Sequence, residues 1–300
     1  MRRFAWLPLI ALAACHRGTG STGPAAFALP DSAQLVDGAT GAPVATTELL
    51  RRAGAADLVL LGEVHDNATA HVVRGRLLHA LAGRHPAVVF EQFAASDSAI
   101  AKPEPGDSLA AWLDRNGFDR RGWRWPLHEP VVAAAIADGR SLWGSNLSRE
   151  SLRAVVTGGA AAAPEPLRQL MAQAPLDSAA RAALDRDITE GHCNRLPASM
   201  IPGMRAAQEA RDAAMTRALL LAAADGPAWL IAGNGHVRGD IAVPRILHRV
   251  APQKTMLVVG LLERDSTGAA PEAEERRRYD LAILIPRTAR PDPCADVPAR

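Results

Sequence analysis

Two short loops carry the residue types that acid–base or metal chemistry requires. In the first loop Glu63 and His65 stand two residues apart, and in the second loop His236 follows Gly233 and Asn234. A carboxylate and an imidazole at this spacing can bind a divalent ion or act as an acid and a base. A histidine satisfied within the core is the alternative for His65, and Gly-Asn-Gly is also an ordinary turn. The two loops are the first candidates for a functional site.

Charged residues next to these loops extend the candidate site. Glu91 directly follows the apolar run 87–90, where a carboxylate costs free energy unless it is paired or bound to a ligand. Hydrogen bonds from loop backbone to Glu91 are the alternative. Arg238 supplies a fixed cation suited to carboxylates. Asp66 or Asn67 can cap the helix that follows the first loop.

A third group of polar residues falls on a predicted helix over about 204–224. Gln208, Arg211 and Asp212 share one face of that helix by their spacing. A solvated Arg–Asp pair would explain them as well as a ligand site does. His192 adds another imidazole just upstream.

The segment from 122 to 130 is rich in tryptophan for a chain that has only six. Trp123 and Trp125 precede His128, and a flat aromatic wall beside a histidine suits a planar ligand such as haem. Packing of the two indoles in the core explains the segment nearly as well.

The elements that position these residues alternate between strands and helices. Alternation of this kind predicts an α/β fold with a mainly parallel β-sheet flanked by helices. A helical subdomain is expected over about 150–224, where alanine is abundant and prolines interrupt the chain. The strands are predicted at 57–61, 87–90, 141–143, 228–232, 255–261 and 279–285.

The candidate residues come just after the carboxyl ends of these predicted strands. Glu63, Glu91, Asn146 and His236 each follow a different strand. Open parallel sheets bind ligands at that edge, because the strand-to-helix loops converge there. The sequence therefore predicts one site built from several loops.

Composition and the N-terminus narrow the class of protein. A formal net charge of +2 argues against nucleic-acid binding, and 48% hydrophobic residues are ordinary for a globular protein. Residues 1–15 are typical of a signal peptide that ends in a lipobox, with Cys15 as the lipidated residue. Residues 16–40 are predicted to form a tether and residues 41–290 the folded domain. The expected location is the periplasmic face of a bacterial outer membrane.

Two further cysteines, Cys193 and Cys294, are compatible with a disulfide in an oxidising compartment. A single sequence does not show that they meet, and a free thiol beside His192 is equally open.

The joint set of motifs resembles the ChaN-like haem-binding lipoproteins, which are similar to the wider Tiki and erythromycin-esterase group. The match runs over roughly 45–260 and comprises the segments 62–66, 91–92, 146, 192–193, 207–212 and 233–238. It implies a parallel α/β fold with a helical subdomain and a role in haem binding or iron acquisition. It also implies a homodimer that holds haem or a related porphyrin.

One departure from the family concerns the iron ligand. The resemblance implies a tyrosine ligand, but the only tyrosine, Tyr279, lies outside the matched motifs. The segment Trp125-Pro126-Leu127-His128-Glu129-Pro130 stands where the family tends to have a Trp-x-x-Tyr-x-Pro-like sequence. His128 is therefore expected to ligate the iron, since imidazole binds haem iron well.

These motifs and the resemblance lead to two hypotheses about function, one for a binding protein and one for an enzyme. The first is a lipid-anchored haem-binding protein, with the cofactor held by His128, Trp123, Trp125, His192, Gln208, Arg211, Asp212, Asn234 and Arg238. The second, implied by the Tiki-like relatives, is a metal-dependent hydrolase. There His65, Glu91 and His236 would hold a divalent ion, and Glu63 would activate water.

Overall fold

A seven-stranded, mainly parallel sheet forms the centre of the computed structural model, which describes residues 27–292 and 294–295. The strand order is β1-β7-β6-β2-β5-β3-β4, and only β1 is antiparallel to its neighbour. This confirms the predicted α/β class. The strands are β1 Gln34–Asp37, β2 Leu58–Leu61, β3 Ala87–Ala94, β4 Leu142–Asn146, β5 Ala228–Ile231, β6 Met256–Glu263 and β7 Leu281–Ile285.

Helices cover both faces of the sheet. Those of the described residues are α1 Thr46–Ala55, α2 Ala68–Ala80, α3 Leu109–Arg115, α4 Glu129–Ala137, α5 Arg149–Gly158, α6 Glu165–Gln173, α7 Ser178–Gly191, α8 Ile201–Ala222, α9 Asn234–Val237, α10 Val243–Val250 and α11 Ala273–Arg276. Single 3-10 turns lie at 82–84, 160–162 and 198–200.

Two apolar layers hold the helices to the sheet. On one face Leu49 of α1, Leu77 of α2 and Val131 of α4 pack against the strands. On the other face Met215 of α8 and Leu247 of α10 do the same. All four residues of β2 and of β5 are buried, as expected for parallel strands covered on both faces.

Four helices, α5 to α8, follow one another within 149–222 without an intervening strand. The long α8 contacts β3 and β4 with one side and α5, α6 and α7 with another. Small residues allow this close packing. A side chain at Gly203 would place its Cβ 2.1 Å from the carbonyl oxygen of Val156.

The predicted tether of 16–40 extends too far toward the domain. Gln34–Asp37 forms β1, which pairs with β7 and buries Leu35 and Val36. A four-residue edge strand carries too little hydrophobic pattern to be recognised from sequence. Residues 1–26, including the predicted signal peptide and Cys15, lie outside the described residues. Among the helices that are described, none is both long and apolar enough to cross a membrane.

A disulfide joins Cys193 to Cys294. It fastens the C-terminal segment beyond β7 to the end of α7, across 101 residues of sequence. This answers the question that the sequence left open.

The disulfide is expected to contribute strongly to stability, because it closes a long loop in the unfolded chain. The chain-entropy estimate for a loop of about 100 residues is about 4–5 kcal/mol of unfolding free energy. Thermal unfolding of the wild type with and without reductant measures it: reduction should lower the melting temperature. The same reductant should not shift the double variant Cys193→Ser/Cys294→Ser, and an unchanged wild type would contradict the assignment.

Candidate functional site

The candidate residues meet at the carboxyl edge of the three central strands. Glu63 and His65 follow β2, and His236 lies in the short helix α9 after β5. Glu91 falls within β3, because that strand continues past the apolar run to Ala94. Asn146 likewise ends β4 instead of following it. The predicted convergence of separate segments on one edge is observed.

The buried carboxylate of Glu63 gathers three side chains around one oxygen. Its Oε1 accepts a hydrogen bond from His65 Nδ1 at 2.7 Å and another from Gln92 Nε2 at 3.0 Å. His128 Nε2 lies 3.3 Å from the same oxygen. The loop after β2, strand β3 and the start of α4 therefore converge on this carboxylate.

Helix α2 supplies the cation that balances Glu63. Arg74 is fully buried and forms an ion pair with Glu63 Oε2. Arg74 Nη2 also donates to His71 Nδ1 at 2.7 Å, and His71 Nε2 donates to the carbonyl oxygen of His65 at 3.0 Å. Since a guanidinium can only donate and a carbonyl can only accept, these two partners favour the tautomer of His71 with its proton on Nε2, and Nδ1 also lies 3.1 Å from Glu63 Oε2.

The environment of these imidazoles disfavours their charged forms. Burial lowers the pKa of His71 to about 4. Burial, with smaller contributions from His71 and Arg74, lowers the pKa of His128 to about 2. Both rings are therefore neutral at physiological pH, and Arg74 provides the positive charge beside Glu63.

Glu91 forms a second charged centre beside the first. Arg211 Nη2 donates to its Oε1 at 2.7 Å, and the Gly233 N–H donates to its Oε2 at 2.8 Å. Burial by itself would raise the pKa of Glu91, but His236, His65 and Arg211 together with the Gly233 N–H lower it to about 2. Glu91 is thus an anion held within the fold.

Two imidazoles approach Glu91 through their Nε2 atoms. His236 Nε2 lies 3.5 Å from one carboxylate oxygen and His65 Nε2 lies 4.0 Å from the other. Asp212 Oδ1 accepts from His236 Nδ1 at 2.6 Å, much as Glu63 accepts from His65. A Cβ at Gly233 would lie 2.8 Å from His65 Nε2, so a larger residue there would displace the imidazole.

Four histidines lie around Glu63 and Glu91 and form a network with them, and they differ in their exposure to solvent. The side chain of His65 is 46% exposed, whereas His71, His128 and His236 are buried. The Trp123 ring meets His65 edge-on at 5.1 Å between centroids and His128 at 5.8 Å. Trp123 is itself half-buried, so it forms a partly open wall beside the exposed imidazole.

Asp66 ties the first loop to two distant segments. Arg290 of the C-terminal segment donates to both of its carboxylate oxygens, at 2.8 and 2.9 Å. Arg124, next to Trp123, donates to it at 3.2 Å. Asn67 is the residue that caps α2, through hydrogen bonds from the backbone N–H groups of 69 and 70.

Helix α8 presents its predicted polar face to the site. Besides the contacts of Arg211 and Asp212, Gln208 Nε2 lies 3.2 Å from His236 Nδ1. Trp125 is half-buried and packs against Phe118, with ring centroids 5.6 Å apart.

Three predicted ligand-binding residues have other partners. Asn234 exchanges hydrogen bonds with the backbone of Leu261 at 2.7 and 3.2 Å. Arg238 forms ion pairs with Asp187 and Asp240. The third, His192, is exposed at the end of α7, where its Nδ1 donates to the carbonyl oxygen of residue 188 at 2.7 Å. No hydrogen bond or ion pair of the described residues joins these three side chains to the carboxylate of Glu63 or Glu91, although the backbone N–H of Asn234 donates to the carbonyl oxygen of Glu63 at 2.9 Å.

Sequence reasoning missed His71 and Arg74. Both lie on the buried face of α2, which reads as an ordinary helix in sequence. Their i, i+3 spacing directly after the first loop was the available signal, but the partner that they bind comes from a different element.

Tyr279 is enclosed away from this edge. It is 6% exposed, belongs to the apolar layer under α8 and α10, and has its hydroxyl 3.4 Å from the carbonyl oxygen of Asn234. Burial raises the pKa of its phenol well above the usual value. Its hydroxyl is therefore unsuited to bind a ligand at the candidate site.

Stability should fall as the pH is lowered from 7 to 5. The pKa of His71 is about 4 in the folded chain against 6.5 as its ordinary value, so within this window the unfolded state binds the additional proton. Linkage gives a loss of about 2 kcal/mol from this group. Urea unfolding at both pH values measures it. The variant His71→Gln should show a flatter pH dependence than the exposed control His248→Gln, and equal slopes would contradict the assignment.

Comparisons with known proteins identify the family. The family model described as haem-binding uptake, Tiki superfamily, ChaN matches residues 49–247. A solved structure described as cofacial haem binding to ChaN of Campylobacter jejuni is 18% identical with a TM-score of 0.66, covering 84% of this chain and 96% of that one.

Two further solved structures are more distant. A succinoglycan biosynthesis protein is 12% identical with a TM-score of 0.36, covering 80% of this chain and 90% of its own. The type III effector HopBA1 is 14% identical with a TM-score of 0.39, covering 80% and 92%. No curated protein matches the chain. The family match extends over most of the domain, and the chain therefore belongs to the ChaN haem-binding uptake family of the Tiki superfamily.

Proposed function

We propose that this protein binds haem on the open face formed by Trp123 and His65, in support of haem or iron uptake. Membership of a haem-binding family supports haem as the ligand. The observation that carries the proposal is the position of His65: among the four histidines of the network, it alone is exposed, and it stands beside a partly open indole. An imidazole next to an aromatic wall suits a planar iron complex.

The residues present fit the iron of such a ligand. With Nδ1 of His65 hydrogen-bonded to Glu63, Nε2 is the ring nitrogen that would bind a metal in the neutral tautomer, and it lies 4.0 Å from Glu91 Oε2. The sequence favours His128 as the ligand, but that imidazole is only 1% exposed. We therefore assign the iron to His65. Bound haem would supply a ferric or ferrous centre, and the chain supplies the ligand, its orientation and the aromatic wall.

The charge balance of the network also favours a planar ligand over a free dication. Arg74 already neutralises Glu63, and Arg211 already neutralises Glu91. A divalent ion held by these carboxylates would compete with both guanidinium groups. Haem iron on His65 requires no change in either ion pair.

We further propose that the chain is lipid-anchored at Cys15 and faces the periplasm from the outer membrane. The disulfide supports an oxidising compartment, since such bonds persist there and are rare in the cytosol. The variant Cys15→Ala should lose incorporation of radiolabelled palmitate and leave the outer-membrane fraction. Unchanged labelling and fractionation of this variant would rule out the anchor.

Titration of the purified chain with haemin tests the ligand assignment. The wild type should give a saturable Soret band, which His65→Ala should abolish because the exposed ligand is lost. The exposed control His248→Ala should leave the band unchanged, and His128→Ala should retain it in part. Loss in His128→Ala with retention in His65→Ala would overturn the assignment to His65. Sedimentation with and without haemin measures whether two chains share the ligand.

A metal-dependent hydrolase is the second candidate, and one observation favours it. Within the described residues, ligand atoms of Glu63, His65 and His128 lie within 4.8 Å of one another, close enough to hold one ion. In the set expected from sequence, His236 Nε2 and His65 Nε2 lie 3.5 and 4.0 Å from different oxygens of Glu91. Metal analysis of the purified protein tests this function. One equivalent of ion lost in Glu63→Gln would favour it, and a metal-free preparation that still binds haemin would exclude it.

A further inference from the structure

A cleft beside Trp123 has no assigned role in the site described above. It has a volume of about 400 Å³ and lies between the ends of β3 and β4, the turn at 117–123 and the start of α5. Trp123, Arg149 and Arg211 are among its lining residues. Trp123 also contacts His65 at 5.1 Å, so the cleft adjoins the exposed imidazole across a single indole.

Two guanidinium groups in this cleft have unused hydrogen-bond donors. Arg149 Nη2 donates to Asp119 at 2.7 Å and Arg211 Nη2 donates to Glu91 at 2.7 Å. The described residues supply one such bond to each group, and a guanidinium has five N–H donors. The side chain of Arg149 is 83% exposed, which leaves its remaining donors available to a ligand.

We propose that this cleft is the subsite for carboxylate groups carried by a planar aromatic ligand, with Arg149 as the principal donor. The inference rests on the proposed function and names the part of the ligand that the chain recognises. Guanidinium groups match carboxylates in geometry and charge, and Trp123 provides the adjoining aromatic wall. Pockets for small ligands have volumes of about 300–1,000 Å³, so this cleft is among the smaller ones. Its size suits the charged edge of a porphyrin rather than the whole ring.

The carboxylate of Asp119 lines the same cleft and would repel a ligand carboxylate. Its carboxylate holds Arg149 and also accepts from the Gly122 N–H at 2.9 Å. A ligand carboxylate that enters the cleft meets this like charge. Asp119→Asn keeps an oxygen for the backbone hydrogen bond and removes the repulsion, so this variant should bind the ligand more tightly than the wild type.

The test uses metal-free protoporphyrin IX and its dimethyl ester, with fluorescence titration of the purified full-length chain. The wild type should bind the diacid about 10-fold more tightly than the diester, as expected for one charge-assisted contact. Arg149→Gln should abolish that preference, and Arg153→Gln, an exposed arginine of the same helix, should retain it. Asp119→Asn should increase it several-fold.

Equal binding of the diacid and the diester by the wild type would overturn the subsite, as would an Arg149→Gln variant that behaves like the wild type. The haemin titration reports separately on iron. A normal Soret band with no preference between acid and ester overturns the subsite alone. Arg149-dependent binding of the diacid without any Soret band for haemin would overturn the iron assignment and leave the subsite in place.

Discussion

Burying a carboxylate at the end of a central strand costs free energy unless donors and a cation surround it, and Glu63 meets that condition. Arg74 from α2 supplies the charge, and His65, Gln92 and His128 approach from three different segments. Because these partners satisfy one group, the loop after β2, helix α2, strand β3 and the start of α4 are positioned relative to one another. Removal of Glu63 would leave Arg74 as an unpaired buried cation, so the site and the fold depend on the same ion pair.

Glu91 repeats the arrangement on β3, which β5 separates from β2, and the two histidines that face Glu91 differ in their exposure to solvent. His65 and His236 each donate Nδ1 to a carboxylate and each bring Nε2 toward Glu91. Their side chains differ in exposure, at 46% for His65 and 6% for His236. A ligand from solution therefore meets His65 first, with Trp123 beside it. His236 is buried, and the hydrogen bond from its Nδ1 to Asp212 Oδ1 orients the ring.

Sequence patterns predicted the edge of the sheet at which the site lies, because apolar strands followed by polar residues identify it directly. Glu63, Glu91 and His236 met there as expected, and the helical spacing of Arg211 predicted the face of α8. The position of Arg238 could not be predicted, since the direction of its side chain depends on Asp187 and Asp240. The same limit applies to Arg74, whose partner lies in another element, and to the pairing of Cys193 with Cys294. Contacts of this kind are set by tertiary packing and have no local signal.

A crystal structure of the chain with haemin bound would locate both the iron and the macrocycle. We expect His65 Nε2 to bind the iron, with His65 Nδ1 still donating to Glu63 and the macrocycle beside Trp123. Iron bound by His128, or a macrocycle seated away from Trp123, would contradict it.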